Sequence, residues 1–321
     1  MSIKNERLTS KAKKLLKKGQ FNEARDIYLN ILKSFPKNLE AKKALLVIDQ
    51  MPQNKPSQNQ LDEVMGFFSH SQFERAQISV QKLIEDFPND PLLFNILGAC
   101  CNEIGQTDLA INNFEKALVL KSDYIEVHYN LGVAFQKNFQ IDKAIKHYEF
   151  AISLKHSYPT AHNNLGLIYL GQNQIESAVK SFEWAVAYNP EYAEGHNSLG
   201  AGLQELKKFK DAKQQFEKAI SLDPNYAQAH HNLGIINEMI GLPDDALNHY
   251  QKAVTTNPRF AEAYRNLSKL KEFKASDPQI TIMSSLYSDE RIYISDKVKL
   301  GFALAKVYDD LGNHDQFFKF L

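Results

Sequence analysis

Residues 193–226 read AEGHNSLGAGLQELKKFKDAKQQFEKAISLDPNY. Leu199, Gly200 and Leu203 fall at helical spacing, Lys207-Lys208 interrupts the pattern, and Ala212, Phe216, Ala219 and Ile220 resume it. The stretch therefore predicts a helix, a turn and a second helix. Small residues at Gly200 and Ala219 let two backbones approach closely, and Phe216 fills the wedge between them. Pro224 stands where the second helix must stop, because proline donates no N–H and its ring clashes with the carbonyl one turn back.

The same stretch recurs. Leu-Gly stands at 97–98, 131–132, 165–166, 199–200 and 233–234, each step being 34 residues, and one further step lands on Leu267-Ser268. Twelve residues past each glycine comes an alanine (Ala110, Ala144, Ala178, Ala212, Ala246), then an aromatic four further (Phe114, Tyr148, Phe182, Phe216, Tyr250), then another alanine three beyond that. Pro190, Pro224 and Pro258 close three units at a common phase, with Ser122 and His156 in that slot earlier. A 34-residue period with these offsets strongly resembles the tetratricopeptide repeat. The resemblance implies an all-α protein, a right-handed α-α superhelix whose first helices line a concave groove. It also implies a scaffold that binds proteins or peptides and has no chemistry of its own.

Carrying the register outward gives units starting near 57, 91, 125, 159, 193, 227 and 261, a main array over 57–274. Ala12, Gly19, Ala24, Tyr28, Ile31 and Pro36 align over Asn5 to Asn38 as a divergent N-terminal unit, and a lone helix follows from Leu39 to about Asp49, so that 1–50 forms one piece. Residues 51–60, with Pro52, Pro56 and many amides, read as a loop or hinge. Ala261 to Lys274 reads as a first helix stopped at Ala275 to Pro278. Over 275–321 an irregular helical connector at Ile280 to Tyr287 precedes an incomplete final unit from about Val298. Leu321 falls within that unit's second helix, which leads to the expectation that the chain is part of something longer.

Thirty-eight basic and thirty-eight acidic side chains give formal zero charge, which argues against a protein held on nucleic acid or anionic lipid mainly by overall charge. The first fifty residues carry twelve basic and five acidic side chains, net +7. Leu8, Ala12, Leu15 and Leu16 nonetheless make an ordinary buried stripe with the lysines on its solvated back. No apolar run exceeds Ala44 to Ile48, too short to span a bilayer. A lysine-rich N-terminus and only two cysteines point to a soluble, cytoplasmic chain.

Chemistry-bearing patterns are sparse. His128, His162, His196 and His230 share the fourth position of successive units. Equivalent positions in stacked helices lie roughly 8 to 10 Å apart, too far to share a zinc ion bonded at about 2.0 to 2.1 Å. They are read as half-buried space-fillers, adjacent Cys100 and Cys101 as inert thiols, and no metal or cofactor is expected. No phosphate-cradling loop or nucleophile signature is present, so this segment reads as non-catalytic.

The informative polar column is the sixth position: Asn130, Asn164, Ser198, Asn232 and Asn266. An amide can donate to a peptide carbonyl and accept from a peptide N–H, so a regular row could hold an extended chain whatever its side chains. It resembles the asparagine ladder of the array that feeds proteins to the nucleocytoplasmic sugar transferase of the same repeat class, although asparagine here is equally at home in the bare repeat. The lysine at position five and asparagine at position nine that clamp chaperone C-terminal carboxylates in this family are missing, which disfavours such tails. Asp277-Pro278-Gln279-Ile280 and residues 302–312 resemble the junction where a bacterial array precedes a sulfotransferase domain. That implies an alternative: the substrate-recruiting part of a sulfotransferase or glycosyltransferase with its catalytic domain beyond residue 321.

Overall fold

A computed structural model describes residues 3–17, 21–50 and 55–320. Gly19, the first four residues of the expected hinge and Leu321 lie outside the described residues. Among these, nineteen helices and no strand are found, as an all-α superhelical class requires. The chain divides into two compact units, 1–127 and 128–321.

The first unit holds α1 (Ile3–Lys17), α2 (Phe21–Ser34), α3 (Leu39–Gln50), α4 (Gln58–Ser69), α5 (Phe73–Asp86), α6 (Pro91–Glu103) and α7 (Thr107–Leu120). Ala12, Ala24, Tyr28, Ile31, Ala41 and Ile48 make a small core among α1, α2 and α3. The expected loop at 51–60 ends early: Gln58, Asn59 and Gln60 are the first turn of α4. Ser57 caps it, its hydroxyl accepting from the Gln60 N–H at 3.4 Å while the Gln60 side chain accepts from the Ser57 N–H at 2.9 Å. Two otherwise unpaired donors are satisfied reciprocally, so amide-rich sequence becomes helix.

The second unit takes α8 (Ile125–Lys137) from His128 onward, followed by α9 (Ile141–Leu154), α10 (Pro159–Gly171), α11 (Ile175–Tyr188), α12 (Ala193–Glu205), α13 (Phe209–Leu222), α14 (Ala227–Met239), α15 (Pro243–Thr256), α16 (Ala261–Leu270), α17 (Pro278–Ser288), α18 (Ile294–Asp310) and α19 (His314–Phe320). The first helices α10, α12 and α14 pack on α11, α13 and α15, and α9, α11, α13 and α15 pack on the first helix that follows each; α12 also touches α10 and α14 directly. The contact that sets the helix pair is the glycine-aromatic one. A Cβ on Gly132, Gly166, Gly200 or Gly234 would stand 2.5 to 2.6 Å from a ring carbon of Tyr148, Phe182, Phe216 or Tyr250, and all four rings are fully buried. The turn inside the repeat closes on a left-handed residue at a 34-residue step: Phe139, Asn173 and Lys207 at φ near +60°, and Gly241 at +80°. Three of these four slots hold a residue with a Cβ, which costs about 1 to 2 kcal/mol each.

The end of the second unit departs from expectation. The helix expected over 261–274 stops at Leu270, because Phe273 turns into the core (2% exposed) with its N–H on Asp310 Oδ2 at 3.2 Å. Lys271 holds the bend, its Nζ donating to Asp277 at 2.8 Å and Gln279 at 2.6 Å. The connector expected to be irregular is the regular helix α17, opened by Pro278 at its first position, where the missing N–H costs nothing. The following helix begins at Ile294 rather than near Val298, and α16 takes it, not α17, as its partner.

Candidate functional site

The first helices of the second unit present the sixth-position row. Asn130, Asn164 and Asn232 are half-buried, Ser198 and Asn266 buried. Asn164 Nδ2 donates to the hydroxyls of Tyr129 and Tyr148, both at 3.3 Å; Asn232 Nδ2 donates to Asn197 Oδ1 at 3.0 Å; Asn266 Nδ2 lies 3.0 Å from His231 Nε2. Tyr129, Asn197 and His231 all stand 35 residues earlier, at the fifth position of the preceding repeat. Because consecutive first helices touch, a side chain at position six must cross that contact. The solvent-facing amides implied by sequence are thus stitched to the neighbouring repeat. The oxygens of two of them are less engaged: Asn164 Oδ1 meets no donor among the described residues, and Asn232 Oδ1 accepts from Gln228 Nε2 at 3.1 Å.

A second row escaped the sequence reading. Tyr158, Tyr192, Tyr226 and Phe260 immediately precede α10, α12, α14 and α16 at 34-residue steps, a period that could have revealed them. Tyr158 packs on Tyr129 and Phe260 on His231, with ring centroids 5.2 and 4.8 Å apart, so each aromatic covers the fifth position of the repeat before it. Tyr192 donates to Glu194 Oε2 at 3.1 Å; burial first, and then that carboxylate, push its pKa far up. Gly195 is dictated by the same ring, since a Cβ there would lie 2.6 Å from it.

At the ninth position Val133, Leu167, Ala201 and Ile235 form an apolar line beside the amides, ending in exposed Lys269. Lys269 Nζ donates to Asn266 Oδ1 at 3.0 Å. Glu262 pairs with Lys299 at 2.8 Å, and that lysine holds its carboxyl below the usual range. Ile235, Met239, Glu238, Tyr250, Asn266 and Lys269 line a cavity of about 390 Å³ at this end of the row.

The histidine column sits away from this face. His162, His196 and His230 each donate Nε2–H to a carbonyl six residues earlier, that of His156, Pro190 or Pro224, at 2.9 to 3.0 Å. Each first helix is thereby tied to the turn before it. The other ring nitrogen meets the twenty-third position of its repeat: His128 Nδ1 lies 3.1 Å from His147 Nδ1, His230 Nδ1 3.1 Å from His249 Nδ1, and His196 Nδ1 2.8 Å from the Gln215 amide. Burial, reinforced by the neighbouring histidine and a lysine, pushes His147 and His249 down to about 4. Among the described residues no three His, Cys, Asp or Glu side chains converge, and no helix is long and apolar enough to cross a membrane. Cys100 and Cys101 are buried, and burial pushes the Cys100 thiol up to about 12.

The repeat and the fold are shared with known proteins. The TPR repeat model matches residues 100–138, 140–173 and 203–241, and a second tetratricopeptide repeat model matches 163–201. The chain is 29% identical over 117 residues to the DnaJ homolog subfamily C member 3 of Gallus gallus, covering 36% of this chain and 23% of that protein. It is 29% identical over 133 residues to the peroxisomal targeting signal receptor of Kluyveromyces lactis, covering 41% and 22% respectively. The chain thus matches under a quarter of each curated relative. Its fold resembles a chain of the APC/C hetero-tetramer Cut9-Hcn1 with TM-score 0.60 at 17% identity, over 92% of this chain and 55% of that one.

Proposed function

From a segment built of tetratricopeptide repeats, we propose that the second unit binds an extended segment of a partner protein along its first helices, gripping the ligand backbone through Asn130, Asn164 and Asn232, with buried Ser198 and Asn266 holding the row in place. The observation that carries this reading is the fixed orientation of the amides. Asn164 and Asn232 each spend a donor on the preceding repeat, which leaves the Asn164 oxygen without a donor among the described residues and the Asn232 oxygen with one, so little ordering entropy is lost when a peptide N–H arrives. The apolar ninth-position line beside them offers side-chain contact, and a relative named as a receptor for a targeting signal accords with a peptide ligand.

The alternative of an array serving a sulfotransferase or glycosyltransferase rests on residues 277–280 and 302–312. Two of these residues have a local structural part: Asp277 receives the Lys274 N–H at 2.8 Å as well as Lys271, and Asp310 receives the Phe273 N–H. The test uses the full chain against an array of ten-residue peptides. For the best binder, N-methylation of single backbone amides is compared with side-chain alanine scanning, and Asn130, Asn164 and Asn232 are replaced together by alanine. Each lost hydrogen bond is worth about 0.5 to 1.5 kcal/mol, so the triple variant should bind at least about tenfold more weakly. A peptide indifferent to N-methylation and to the triple variant would remove the proposal.

A further inference from the structure

Positions four and twenty-three form a pair in three repeats of the second unit: His128 with His147, His196 with Gln215, His230 with His249. At His162 the partner position holds Ser181, whose hydroxyl donates back to the Ser177 carbonyl of its own helix at 2.9 Å. Serine is too short to span the gap that an imidazole or amide fills elsewhere. A cavity of about 440 Å³ opens there between α9 and α11, over α10, and its walls include His162, Leu165, Tyr169, Lys180, Ser181 and Trp184. Ligand pockets commonly run from about 300 to 1,000 Å³.

Its walls have defined chemistry. His162 is 8% exposed, and its only hydrogen bond among the described residues runs from Nε2–H to the His156 carbonyl. That bond fixes the tautomer and leaves Nδ1 an acceptor with an unused lone pair. Burial lowers the His162 pKa and so keeps the ring neutral near pH 7. Trp184, 45% exposed, stacks on Tyr188 with centroids 5.6 Å apart and planes at 17°. Both rings flank His162, at 6.4 and 5.6 Å.

We propose that this cavity is a second binding site, separate from the sixth-position row, which takes the imidazole of a histidine on a partner protein. The inserted ring occupies the place that His147 and His249 fill in neighbouring repeats, donates its N–H to His162 Nδ1 and packs against Trp184. The chain itself supplies the template for the occupant, since two of the three filled positions carry imidazole. A ring there engages an acceptor left unused among the described residues and covers a half-exposed aromatic ledge at once.

Trp184 is the single tryptophan, so its emission reports the site in the full chain. At pH 8 the probes are imidazole, 1-methylimidazole and a short peptide with one central histidine. Imidazole should change the emission saturably, and 1-methylimidazole, which lacks the N–H, should bind about three- to tenfold more weakly. The peptide should bind more tightly than imidazole, because its flanks use the rest of the cavity. Ser181→Gln supplies the internal partner and should abolish the response without lowering the thermal midpoint; His162→Phe, which keeps a ring and removes the acceptor, should abolish it as well. A parent without a saturable response, equal binding of both imidazoles, or an undiminished response in both variants would overturn the site. A peptide no tighter than free imidazole would overturn its assignment to a protein partner.

Discussion

Replacing Gly166 by alanine tests the glycine-aromatic contact that recurs in five helix pairs of the array. The new Cβ would stand 2.6 and 2.7 Å from two ring carbons of Phe182 and 3.1 Å from a third. Phe182 is fully buried and cannot swing away. Overpacking of this kind costs about 1 to 3 kcal/mol, while glycine to alanine inside a helix returns close to ~1 kcal/mol. The net expectation is a loss of up to about 2 kcal/mol. Phe182→Leu alone should cost about 1 to 2 kcal/mol through the space it leaves. Combined with Gly166→Ala it gives the methyl room, so the double variant should be at least about 1 kcal/mol more stable than the sum of the singles. Gly66→Ala is the control, because a Cβ there meets nothing within 4 Å and should stabilise. Urea titrations followed by circular dichroism measure all four, and Trp184 emission follows the repeat that contains Phe182. A Gly166→Ala variant that unfolds at or beyond the parent midpoint, or strictly additive losses in the double variant, would refute the reasoning.

Three further outcomes are expected. His147 and His249 fall to about 4 in the fold against an ordinary 6.5, so between those values the unfolded chain binds more protons. The stability they contribute is complete above pH 6.5 and drains as pH falls toward 4, and His147→Gln/His249→Gln should flatten urea midpoints measured at pH 7.5, 6 and 5. The groups facing them are His128 and Lys143 for His147, and His230, Lys252, Asp245 and Lys213 for His249; a parent midpoint independent of pH over that window would count against the assignment. Asn266→Ala strips a buried side chain from both His231 and Lys269 and should cost about 1 to 3 kcal/mol, more than Asn164→Ala at its half-buried site; equal losses in thermal melts would contradict this. Cys100 and Cys101 should resist an aromatic disulfide reagent at pH 8 until urea unfolds the chain, when both react; rapid labelling of folded protein would show that burial does not protect them.

Sequence alone determined the 34-residue unit, the two helices in it and the glycine-aromatic contact that spaces them. Those features are local or repeat identically, so Gly200 and Phe216 could be matched without coordinates. The amide row was legible as a row, but its setting was not. Only the tertiary structure showed Asn232 reaching Asn197 and Asn266 reaching His231, because a partner 35 residues away is chosen by the packing of consecutive first helices and not by any local pattern. The same holds at the end of the second unit, where burial of Phe273 overrode the helical spacing of 261–274 and α16 found its partner in α18. At positions four and twenty-three the sequence displayed a histidine column. Whether each ring meets an imidazole, an amide or empty space depends on one side-chain length across 19 residues, and at Ser181 that length leaves a cavity.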